Sequence, residues 1–245
     1  MIDIEEVFEE PLLTEVVLEL RYPTRLKIPN YISEFQEKVI NEFPNLKETI
    51  LSKLILISKD NPELLHEPAW EFENPKNQTR CRISKNRFTL ISNKYMSWLE
   101  YKSEKGFKEI LDFTLKCFLD LYSIENFKRL GLRYINKVEI KESTSEWFKK
   151  YFVPLFKIEK YPIESLHENV VRLRVEKENQ IKVIIQSTII TEDDKDYYIL
   201  DFDAYSEDIK KNDLSEKIDL LHKEILKEFH SLITEECRKK MRGEE

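Results

Sequence analysis

Asp201 and Asp203 stand two residues apart in the run YYILDFDAY, residues 197 to 205. On an extended chain that spacing sends both carboxylates to the same face. Such a pair could hold a divalent metal for phosphodiester chemistry if a third acidic group converged on it. It could equally be met by Arg172 and Arg174 of VVRLRVE, which repeat the spacing and are expected on the same sheet. Guanidinium partners would satisfy the carboxylates without an ion. That reading needs no third ligand, so no metal ligand and no catalytic residue is assigned.

A second candidate is positive. From Asn74 to Leu99 the chain holds no Asp or Glu, yet it carries Lys76, Arg80, Arg82, Lys85, Arg87 and Lys94. Arg80 and Arg82 project together from one predicted strand, Arg87 opens its partner, and Tyr95 and Trp98 follow. Cations beside aromatic rings are what a surface needs to follow a phosphate backbone and stack bases. The same patch could meet an acidic protein partner, or be a solvated sheet edge defended against aggregation by charge.

A third charged surface is LGLRYINKVEI, residues 130 to 140. Leu132, Tyr134, Asn136, Val138 and Ile140 fall on one side of a strand, and Arg133, Ile135, Lys137 and Glu139 on the other. If Glu15, Glu19 and Arg21 of the opening strand lie alongside, opposite charges pair across the two strands, each pair contributing roughly 0.2 to 1 kcal/mol. The residues singled out for binding are Arg80, Arg82, Arg87, Trp98, Arg133 and Asn136.

Other chemistries lack their parts. Gly106, Gly131 and Gly243 are the only glycines and lie too far apart for a phosphate-binding loop, a dinucleotide fingerprint or a nucleophile elbow. His66, His167, His222 and His230 form no ligand spacing, and His222 and His230 read as surface or core-edge residues. Cys81, Cys117 and Cys237 suggest reduced structural thiols. No cofactor is expected. A net charge of -7 argues against a protein that coats nucleic acid with its whole surface. The acidic start MIDIEEVFEE is unlike a secretory signal and no apolar run is long enough to span a bilayer, so the expectation is a cytoplasmic chain with no membrane partner.

These residues need elements to position them. Leu12 to Tyr22 alternates as a strand with one apolar face. Asn30 is expected to cap a helix through Ile32, Phe35 and Val39, stopped by Pro44. A short strand follows at 51 to 57, then a loop marked by Pro62 and Pro68, then a hairpin turning at Lys85 and Asn86, where Asn tolerates a left-handed conformation. YMSWLEY is expected to add a strand. Ser103 is the expected cap of a helix whose stripe is Phe107, Ile110, Leu111, Thr114, Phe118 and Leu121. Ser143 and Glu146 have capping-box spacing ahead of Trp147 and Phe148. Strands are expected at 170 to 175, 181 to 190 and 197 to 205. One long closing helix, opened by Asp213 and Glu216, is expected to carry Arg238, Lys239, Lys240 and Arg242 in its last turn.

The order strand, helix, several antiparallel strands, helix occurs at about 12 to 122 and again at about 130 to 240. The fold class expected is therefore α+β, built as two similar halves, 1–124 and 125–245, each a curved antiparallel sheet packed on a helix and together one compact globule.

Two stretches, PLLTEVVLELRYP and FKRLGLRYINKVEI, resemble a sporadically distributed family of uncharacterised bacterial and archaeal proteins. The matching positions are Pro11, Glu15, Val16 and Val17, then Leu130, Gly131, Arg133, Tyr134 and Asn136. The resemblance transfers no catalytic residue; patchy distribution implies genes carried with defence or mobile elements.

The functional expectation is a non-enzymatic binding or adaptor protein holding a protein partner or nucleic acid. Nucleic-acid binding by the hairpin at 76 to 94 is the first alternative. A small-molecule cavity between sheet and long helix, or a metal-dependent phosphodiester enzyme, is the second.

Overall fold

The protein's structure, a computed structural model, describes residues 3–58, 61–95, 97–141, 144–155 and 169–244; side chains are described over the same ranges except at 51–58, 61–66, 144–145 and 169. Among the described residues nine strands form one sheet: β1 (Leu13–Arg21), β2 (Asn45–Ser58), β3 (Asn61–Asn74), β4 (Thr79–Ser84), β5 (Arg87–Ser92), β6 (Asn126–Glu139), β7 (Asn169–Glu176), β8 (Lys182–Glu192) and β9 (Lys195–Lys210). Their spatial order is β2-β3-β4-β5-β1-β6-β9-β8-β7, and every neighbouring pair is antiparallel. The fold is thus α+β. The β1–β6 pair joins the strands of the first half of the chain to those of the second, in the register Leu18 opposite Leu132.

Five helices accompany the sheet: α1 (Ile32–Val39), α2 (Phe107–Leu121), α3 (Thr144–Tyr151), α4 (Leu214–Leu232) and α5 (Glu235–Met241). One sheet face is covered. Phe35 of α1 meets Phe72 of β3, Phe118 of α2 meets Phe88 of β5, Phe148 of α3 meets Tyr198 of β9, and Phe229 of α4 meets Phe202 of β9. The alternation in β1 explains why: Val16, Leu18 and Leu20 are fully buried beneath the helices, while Glu15, Glu19 and Arg21 turn to the other face. Each such apolar side chain contributes roughly 1.5 to 3 kcal/mol by leaving water.

Several sequence expectations change. The region of Pro62 and Pro68 is not a loop but part of β3, which pairs with β2 along its whole length and with β4 only from Ala69 onward. Both prolines therefore sit where β3 has a free edge and no ladder donor is missed. Residues 97–101 form no strand; the chain turns at Lys102 and Ser103, both with positive φ, and Gly106 rather than Ser103 precedes α2. Asn30 lies in a short 3-10 turn, and Tyr31 precedes α1 without a side-chain cap. The hairpin turn falls at Lys85 and Asn86, but neither adopts a left-handed φ; Asp193 and Asp194, between β8 and β9, do. The closing helix is two helices, broken where Ile233 is extended and pairs with Phe152. Thr234 restarts it by accepting from the Cys237 N–H (3.2 Å), so Arg238, Lys239 and Lys240 end α5. The capping box at Ser143 lies outside the described residues.

Candidate binding site between the sheet and its longest helix

The uncovered face carries the charges, and they are matched to one another. Arg133 grips Asp201 with two hydrogen bonds, Nε to Oδ1 at 2.8 Å and Nη2 to Oδ2 at 2.6 Å. Arg129 holds both oxygens of Asp203 at 2.7 and 2.8 Å and reaches Glu19 at 3.2 Å. The two carboxylates are thus met by guanidiniums, as one reading of the sequence had it, but from β6 and not from Arg172 and Arg174. The reason is register: β9 lies directly beside β6, with β8 between it and β7. Among the described residues no group of three or more His, Cys, Asp and Glu side chains is placed to hold a metal ion.

Gly131 makes this possible. A Cβ there would lie 2.3 Å from Nη1 of Arg129, so glycine leaves the guanidinium room to fold across β6 where any other residue would make that flexible side chain shift. The basic hairpin joins the same mat. Arg82 is bound by Glu71, Arg87 by Glu19 at 3.2 Å, and Arg80 donates to Asn93 at 3.0 Å. Trp98 and Asn136 are elsewhere. Both are buried on the helix-covered side, Asn136 donating to the Leu200 carbonyl at 3.0 Å.

There they line a cavity of about 190 Å³. Tyr134 and Asn136 of β6 with Phe202 of β9 form its floor; His222, Ile225 and Phe229 of α4 form one wall; Tyr95 and Trp98 form another. Residues 4–8 and 11–13 close it as a roof. Roof segment 3–12 has no regular helix or strand and is tied down at intervals. Glu6 accepts from Nε and Nη2 of Arg242 at 2.6 and 2.9 Å, Glu9 accepts from Lys102 and the Tyr101 hydroxyl, and the Glu10 N–H donates to the Met241 carbonyl at 2.9 Å. Phe8 is buried beneath it.

His222 is the polar centre of this site. Its ring stacks on Trp98, centroids 4.1 Å apart and planes 10° from parallel. Its Nδ1 shares a hydrogen bond of 2.7 Å with the Tyr134 hydroxyl, which is also bonded to Tyr95. Nε2 is buried and has no hydrogen-bond partner among the described residues; Oε2 of Glu5 is 3.4 Å away, within ion-pair reach but not aligned for a hydrogen bond. Burial pushes the imidazole down to about 3, with Lys223 acting in the same direction. Burial raises the Tyr134 and Tyr95 hydroxyls far above their ordinary value. All three groups are therefore neutral across the physiological range.

The sequence suggested His222 as a surface or core-edge residue, whereas it is buried, and gave residues 3–10 no structural task. The usable signal was His222 within the apolar stripe Ile218, Leu221, Ile225 and Phe229 of α4, and Val7 with Phe8 inside an acidic run. Beside the cavity, sharing Tyr95 and Ser97, lies an open polar depression of about 290 Å³ bordered by Lys76, Lys94 and Lys105.

No family model, no curated protein and no solved structure matches the chain. The stretches PLLTEVVLELRYP and FKRLGLRYINKVEI do have a physical account. They are β1 and β6, the two central strands, and Gly131, Arg133, Tyr134 and Asn136 respectively seat Arg129, pair with Asp201, bind His222 and floor the cavity.

Proposed function

We propose that the protein binds a small organic molecule, without transforming it, in the cavity between β6, β9 and α4. The observation that carries this reading is a preformed, ring-lined cavity with the unpartnered Nε2 of a buried histidine at its edge. Buried polar atoms are ordinarily hydrogen-bonded, so an orphan beside a cavity marks a place where a ligand completes the structure. An apolar cavity of about 150 Å³ holds benzene, so this one suits a single ring with a short substituent. Binding without turnover is supported by titration: neither an imidazole near 3 nor a raised tyrosine exchanges protons readily at neutral pH.

A panel of monocyclic compounds screened by thermal shift and ligand-observed NMR tests this. Binders are expected for the native protein and none for Leu226→Trp, which places an indole in the cavity from a half-buried position. A native protein that binds nothing, or a filled variant that still binds, overturns the reading.

A second reading is nucleic-acid binding at the lysine-bordered depression. It is favoured by Lys76 and Lys94, which make no ion pair among the described residues, unlike the hairpin arginines Arg82 and Arg87. It predicts affinity that falls steeply with salt and is lost in the double Lys76→Ala, Lys94→Ala variant. We further read the halves 1–124 and 125–245 as copies of one unit; in support, β5 and β9, the last strands of each half, both lie beside its first strand.

A further inference from the structure

We infer that the ligand of this cavity is an organic cation, a protonated amine on a single ring, held between His222 and the carboxylates of the roof and wall. The inference rests on the reading of the cavity as a binding site and adds the charge of what it takes. Every charged side chain lining the cavity is a carboxylate: Glu5, Glu6 and Glu100. Among the described residues neither Lys nor Arg lines it, and the buried imidazole of His222 is neutral. Glu6 is already neutralised by Arg242, whereas Glu100 makes no ion pair among the described residues and Glu5 has only the neutral His222 near it. Two exposed carboxylates at the cavity's edge are thus left without a cationic partner among the described residues, which biases the site against an anion and toward a cation.

The walls agree with the charge. Trp98, Tyr95, Tyr134 and Phe8 present ring faces and edges around the same space, and an ammonium group beside aromatic faces is stabilised by their quadrupoles. The orphan Nε2 completes the picture. Nδ1 and the Tyr134 hydroxyl can exchange donor and acceptor roles: without a ligand the Nε2–H tautomer suits the facing Oε2 of Glu5, 3.4 Å away, and a bound N–H donor selects the Nδ1–H tautomer, which leaves Nε2 as an acceptor. An N–H donor entering beside them bonds to both. The Glu5 side chain is 48% exposed on the irregular roof, so it can swing to admit the donor and close on it.

Three probes of nearly the same shape separate charge from size: benzylamine as cation, benzyl alcohol as neutral counterpart and benzoate as anion, each titrated into the full chain by calorimetry and NMR near neutral pH. The expected result is benzylamine binding at least tenfold tighter than benzyl alcohol, with benzoate weakest. The variant Glu5→Gln, Glu100→Gln alters two lining positions outside the core and is expected to erase the amine preference, so that benzylamine binds this variant no tighter than benzyl alcohol does. Benzyl alcohol or benzoate binding as tightly as the amine, or an amine preference that survives in the double variant, overturns the charge assignment and leaves the cavity as a site. Failure of all three to bind overturns both.

Discussion

A residue that no simple pattern singles out governs the site's titration. His222 is held near 3 in the folded chain and has an ordinary value of 6.5 when exposed. Between those values the unfolded chain takes up a proton that the folded chain refuses, so stability falls as the pH drops below about 6.5. The full stability contribution is present above that pH. Glu5, Lys223, Tyr134 and the stacked Trp98 surround the ring, and the tyrosine stays neutral throughout this window. Urea unfolding is expected to show a loss of about 2 kcal/mol between about pH 7 and about pH 5 from this group, and His222→Phe, which keeps the stacking, should flatten that slope. His230, also lowered by burial, acts in the same direction. Gly131 offers a second test: Gly131→Ala makes the Arg129 guanidinium shift from its present place and weakens its hold on Asp203 and Glu19. A loss of about 2 kcal/mol is expected in the unfolding free energy. The charges on these residues were plain in the sequence, but their partners were not, because a two-residue spacing fixes the face and leaves the neighbouring strand open.

At the scale of elements, hydrophobic periodicity located β1, the β4–β5 hairpin, α2, β6 and α4, since each buries one side against the same core. What escaped was set by pairing or by backbone geometry. Pro62 and Pro68 look like breakers until β3 is known to have a free edge there. The break between α4 and α5 is likewise invisible in an apolar stripe, since it arises from the Ile233 bridge to Phe152 and the Thr234 cap. Thr234→Ala removes the oxygen that accepts from the Cys237 N–H, and a loss of about 1 kcal/mol is expected, read as a lower melting temperature. The β8–β9 turn places Asp193 and Asp194 at φ 49° and 61°, a region where L side chains are strained and glycine is not. Asp194→Gly is accordingly expected to raise the melting temperature, by about 0.5 to 1 kcal/mol of stability.

Over the whole molecule, the α+β class was legible because alternating strands and amphipathic helices have distinct periods, and no helix of the described residues is long and apolar enough to cross a membrane. A cavity between sheet and long helix was among the alternatives the sequence offered, but its roof was not legible, because it is held by contacts more than two hundred residues apart: Glu6 meets Arg242, and Glu10 meets Met241. Arg242→Ala should loosen that closure, seen as faster amide exchange confined to residues 3–12 while β1 and β6 stay protected. The same closure has a temporal side. The roof residues leave the ribosome before the strands and helix they cover, and Arg242, which holds Glu6, follows the α4 wall, so the roof is pinned only after the floor and both walls have been made.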